Sequence, residues 1–134
     1  MRLLLAKACE YSAQLVNGRQ SMVGLFENIV APHMPVDHPA FYFCVQLEFD
    51  PMDNDDKMDL KVILIDEDGK SVVDFAAQGV PPKDPNGGMT RLFVQFHIPA
   101  IRFEKVGEYR FDVLYNGRKI GEERVPVLIV QPTA

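Results

Sequence analysis

The chain has 134 residues, 47% of them hydrophobic and 25% charged, with a formal net charge of −5 at pH 7. That length suits one domain, residues 1–134, with enough chain to bury a core without help from a metal or a disulfide. The acidic balance excludes a surface built around a basic face, which disfavours nucleic acid and anionic membranes as partners.

The N-terminal stretch MRLLLAKACEY opens on a short apolar run, Leu3 to Ala6, that Lys7 interrupts before it reaches the length of a signal-peptide core. It predicts a first strand beginning close to Met1. No stretch is long enough to cross a membrane as a helix, so the expected setting is cytoplasmic. Cys9 and Cys44 are then expected to be free thiols, and they lack metal-ligand spacing. Asn17-Gly18 predicts a hairpin turn. Residues 30–40, VAPHMPVDHPA, carry Pro32, Pro35 and Pro39 and predict a loop, because proline cannot donate to a central ladder. Residues 41–49, FYFCVQLEF, alternate with a period of two, and so do 90–98, TRLFVQFHI, and 108–115, EYRFDVLY. Segments 58–66 and 71–77 flank a hairpin at Asp68-Gly69, and Asn116-Gly117 marks another. Residues 78–89, rich in proline and glycine, predict a second long loop. No segment offers a capped helical stripe.

The pattern predicts an all-β domain, an antiparallel immunoglobulin-like or C2-like β-sandwich of about seven to nine strands. Its core should include Phe43, Val45, Leu47, Val62, Leu64, Val94, Phe96, Phe111 and Val113. Gly107-Glu108-Tyr109 resembles a tyrosine corner, in which the Tyr109 hydroxyl bonds back to nearby backbone.

Three stretches carry a wider resemblance: ACEYSAQLVNGRQSMVGLFENIVAP with its Gly24-Leu25-Phe26 step, the proline-bounded HMPVDHPAFYFCVQLEF, and the closing hairpin GEYRFDVLYNGRKIGE. Over nearly the full length the chain resembles a bacterial family of small β-sandwich proteins, known only as a domain of unknown function. The resemblance implies a fold and a bacterial, cytosolic setting, and it transfers no catalytic residue.

Five aspartates crowd DPMDNDDKMD: Asp50, Asp53, Asp55, Asp56 and Asp59. A calcium ion needs six to eight converging oxygens. Asp53 and Asp55 match the start of an EF-hand loop, but Lys57 and Met58 stand where a further ligand and the turn glycine belong. Asp66, Glu67 and Asp68 lie at the other end of strand 58–66, roughly 23 Å away at strand rise. The expected role of the loop is solvation, with a metal site at Asp53, Asp55 and Asp56 as the alternative. His33, His38 and His97 are dispersed and predict surface residues rather than zinc ligands. Ser12, Ser21 and Ser71 lack a nucleophile elbow. Cys44, between Tyr42 and Gln46, reads as a partly exposed structural cysteine, with His97 as a candidate base.

No catalytic constellation, cofactor site or phosphate-cradling loop is predicted. The expected function is a non-enzymatic protein-binding or assembly module, with a small-ligand or calcium-binding sandwich using loops 30–40 and 50–59 as the alternative. Ile63, Ile65, Phe93 and Leu114 break the apolar-in, polar-out alternation and predict covered outer faces. The cover would be loop 30–40, loop 78–89, or a second copy in a homodimer through a sheet face.

Overall fold

The computed structural model describes residues 1–130, and every element in them is a strand. There are 11: β1 (Arg2–Gln14), β2 (Gln20–Leu25), β3 (Ile29–Ala31), β4 (Val36–His38), β5 (Phe41–Phe49), β6 (Met58–Ile65), β7 (Ser71–Gly79), β8 (Thr90–Ile98), β9 (Ile101–Phe103), β10 (Gly107–Tyr115) and β11 (Arg118–Ile129). They form a four-stranded sheet ordered β2-β1-β5-β8, a five-stranded sheet ordered β3-β11-β10-β6-β7, and a β4-β9 ribbon. The five-stranded sheet is mixed and curls into a half-barrel.

This corrects the expected strand count and the wholly antiparallel arrangement. β3 runs parallel to β11, with Ile29, Val30 and Ala31 beside Val127, Leu128 and Ile129. The strands that escaped notice, β3, β4 and β9, have three residues each. Three residues are too few for a period of two to show. Two of these strands occupy much of the proline-rich segment 30–40, which is therefore not a loop throughout. Segment 80–89 is irregular, as its composition predicts.

Register explains the core. β5 pairs with β8 so that Phe43 faces Phe96, Val45 faces Val94 and Leu47 faces Leu92. β6 and β10 bring Val62 opposite Val113 and Leu64 opposite Phe111. Period two puts these residues on one side of each sheet, and the two sides meet: the Phe43 and Phe111 rings stack with centroids 4.3 Å apart. Of the nine predicted core residues, eight are buried and Val94 is half-buried. The ribbon closes one end, where buried Phe103 meets Tyr109 edge-on at 5.0 Å.

The turns use the predicted chemistry. Asn116 (φ 49°) and Gly117 (φ 82°) both take positive φ, as a two-residue hairpin turn requires. Asp66, nearly buried, accepts from the amides of Asp68 and Lys70 at 3.0 and 2.9 Å and so shapes the turn at Gly69. The Tyr109 hydroxyl donates to the Lys105 carbonyl at 2.9 Å, the back-bond expected of the corner.

Candidate functional site

The outer faces of the two sheets are covered differently. β1 pairs with β5 up to Cys9 and with β2 from Cys9 onward. Beyond that handover the β1–β2 hairpin bends back over the outer side of β5 and β8. Gly24 (φ +70°) permits the bend, since a Cβ there would stand 2.8 Å from the Glu10 carboxylate. The Ser12 hydroxyl donates to Gln95 Oε1 at 2.8 Å, and the Tyr11 ring meets Tyr42 edge-on at 5.9 Å. Residues of the hairpin tip, Gln14 and Gly18 to Gln20, line a groove with Gln46 and Phe93. This hairpin, rather than either loop expected to fold across, covers the face that holds Phe93.

Ile63, Ile65 and Leu114 lie in the other sheet, so the four predicted interface residues do not form one patch; all four are half-buried. Around the three aliphatics stand ion pairs: Lys61 with Asp74 at 3.4 Å, Arg110 with Asp112 at 2.9 Å, and Lys119 with Asp112 at 3.2 Å. Long basic side chains lay their methylenes on apolar neighbours and keep their charge in water. Charged residues, not a loop, cover that face.

The acidic loop is engaged internally. Asp53 pairs with the Met1 ammonium at 2.8 Å and accepts from the Asp50 amide at 2.8 Å, and these bonds hold its carboxyl below the usual range. Burial, followed by the Asp55 and Asp53 carboxylates, pushes the buried Tyr115 hydroxyl up to about 12. That hydroxyl has no hydrogen-bond partner among the described residues. Among the described residues no three His, Cys, Asp or Glu side chains converge as metal ligands. His33 is exposed. His97 packs on the Tyr42 ring at 5.2 Å rather than on Cys44. His38 sits among Phe26, Phe41 and Phe103, at ring distances of 5.6, 5.1 and 6.4 Å, and burial lowers its pKa. Cys44 is not partly exposed but fully buried, because the hairpin lies over it.

What remains open is the side of the molecule where β7 and β8 run. Each is the last strand of its sheet, and neither pairs with the other. By register Val73, Phe75 and Ala77 face the core opposite Leu64, Val62 and Leu60, and on β8 Leu92 and Val94 face it too. All five are only half-buried, packed on the core from one side. The opposite seam is closed: Lys7 of β1 bonds Glu123 of β11 at 3.1 Å, and Leu3 presses on Gly121 so closely that a Cβ there would meet it at 2.4 Å. β7 is nine residues long, with one charge, Asp74, and no proline. It thus lacks the lysines, prolines or short length by which edge strands usually resist pairing. Sequence reading finds β7 as a strand but not as an edge, since edge position is set by chain order in the sheet and leaves no local signal.

Residues 4–128 match a family model described as a family of unknown function, DUF6941. The chain belongs to that family. The match covers nearly all of both large sheets, in agreement with the resemblance carried by the N-terminal strand and the closing hairpin. No curated protein matches the chain.

Proposed function

We propose that the protein is a non-enzymatic, cytoplasmic assembly module with an immunoglobulin-like core, and that it associates with a second copy of itself through β7. The observation that carries this reading is the half-burial of Val73, Phe75 and Ala77, which are core residues by register and have no strand on their outer edge among the described residues. The Tyr109 corner supports the immunoglobulin-like relation. A strand added to a free edge satisfies its backbone groups and covers its side chains together.

β7 is complementary to itself. Antiparallel pairing about a two-fold axis at Phe75 sets Asp74 against Ala76, Val73 against Ala77 and Ser71 against Gly79. Phe75 then meets its own copy, Val73 meets Ala77, and no charge opposes its like. Two-fold pairing of this kind closes on itself and stops at a dimer.

The test uses one position with opposite charges. Ala76→Asp sets a carboxylate against Asp74 of the second copy, whereas Ala76→Lys supplies its counter-ion. Light scattering should give a dimer for the wild type, a folded monomer for Ala76→Asp and a dimer for Ala76→Lys. Within the monomer Ala76 lies opposite Lys61, so the Ala76→Asp monomer should stay folded, losing only the stability that the second copy contributes. A wild-type protein that is monomeric at micromolar concentration, or two variants that dimerise equally, would refute the reading.

A further inference from the structure

The protein has two cysteines, and the fold brings them together. Cys9 sits where β1 passes from β5 to β2, and Cys44 lies on β5 beneath the hairpin. Their Sγ atoms are 4.0 Å apart, both residues are fully buried, and both are free cysteines. Cys9 directs its thiol at the Tyr11 carbonyl, 3.3 Å away, and so braces the root of the hairpin. His97 packs on Tyr42 instead, and among the described residues no three His, Cys, Asp or Glu side chains converge there as metal ligands. Each sulfur has the other as its nearest redox-active partner among the described residues.

We propose that Cys9 and Cys44 are a dithiol that a peroxide converts to a disulfide, tying the root of the β1–β2 hairpin to β5. A disulfide places its sulfurs about 2.05 Å apart, so the pair must close by about 2 Å, through side-chain rotation and a small shift of β1. Full burial keeps a peroxide out while the hairpin is seated. Burial also pushes both thiols up, Cys9 to about 12, whereas the Ser12 hydroxyl and Cys9 itself favour the Cys44 thiolate. Reaction therefore begins when the hairpin lifts and Cys44 meets solvent.

Cys44, as the thiolate, attacks one peroxide oxygen. The O–O bond breaks, hydroxide leaves as water after taking the proton that Cys44 released, and Cys44 becomes a sulfenic acid. The Cys9 sulfur then attacks the Cys44 sulfur, the S–S bond forms, the S–OH bond breaks, and a second water carries off the Cys9 proton. Two thiols lose two electrons, and one hydrogen peroxide becomes two waters.

The full-length protein is reduced, freed of reductant and treated with hydrogen peroxide, and free thiols and intact mass are followed. The expected result is loss of both thiols together, a mass lower by two hydrogens, no change in the number of chains per particle, and recovery with a dithiol reductant. Cys9→Ala and Cys44→Ala should each keep the remaining thiol or add oxygen to it, without losing hydrogens. Two events would overturn the proposal. One is a folded wild type that keeps both thiols under conditions that oxidise the urea-unfolded chain. The other is a wild type whose thiols gain oxygen separately. The wild-type measurement decides the matter even where a variant fails to fold.

Discussion

At the seam between β1 and β11 the two sheets touch through a leucine seated on a glycine and a lysine bonded to a glutamate. Between β7 and β8 the same two sheets end without pairing, and five core-facing residues are left half-buried. The sequences on the two sides are comparably apolar. What separates them is whether a close approach has been built in, and Gly121 is that approach. Where Gly121 carries no side chain, one sheet settles against the other; between β7 and β8 the inward positions carry Val73, Phe75, Ala77, Leu92 and Val94, and the gap stays open.

This contrast can be broken in graded ways. The largest effect should come from paired aromatic truncations measured by denaturant unfolding. Phe43→Ala, at the stack between the sheets, should cost about 3–5 kcal/mol, whereas Phe75→Ala, at the open side, should cost roughly half that or less. Equal costs would mean that the open side is packed like the core. Next, Gly121→Val should destabilise by about 1–3 kcal/mol through overpacking against Leu3. Because Leu3 is a flexible side chain, a cost near zero would show that it yields and that the glycine is not needed for closure.

A smaller effect should follow pH. His38 has a lowered pKa in the folded state through burial among aromatic rings, despite the Pro39 carbonyl and Glu10, which act the other way. The unfolded chain then binds the proton more readily, so the stability held by neutral His38 is present above pH 6.5 and is lost as pH falls through the lower folded value. His38→Phe should remove that slope from the dependence of melting temperature on pH, and an unchanged slope would place its origin elsewhere. The smallest effect is expected from calcium. Asp53 is already held by the Met1 ammonium and the Asp50 amide, so neither chelator nor added calcium should move the melting temperature. A rise of several degrees with calcium would revive the acidic loop as a site, since a ligand bound only by the native state stabilises it.

The long strands, their inward faces and the turns at Gly18, Gly69 and Gly117 were legible because period two and turn chemistry are local. The Tyr109 corner was legible for the same reason, since its hydroxyl reaches a carbonyl four residues back. Chain order in the sheets was not, and both sides of the molecule depend on it. Phe93 reads as an apolar residue on a polar face; only the bend after Cys9 shows that the hairpin covers it. The aliphatics Ile63, Ile65 and Leu114 read as a patch, yet Lys61, Arg110 and Lys119 come from three strands to surround them. β3, β4 and β9 are too short to carry a pattern and exist because neighbours offer them partners.

The closed seam also has a history in time. Lys7 and Glu123 are 116 positions apart, so the ribosome delivers β1 long before the strand that will meet it. Until β11 emerges, β1 must wait with one edge unmet, and the half-finished chain has a gap on both sides instead of one. Contacts between such distant segments form late and slowly, because the whole intervening chain must be ordered around them. Closure of β1 on β11 is therefore suited to be the last event of folding, the step that turns a partly ordered nascent chain into a finished molecule.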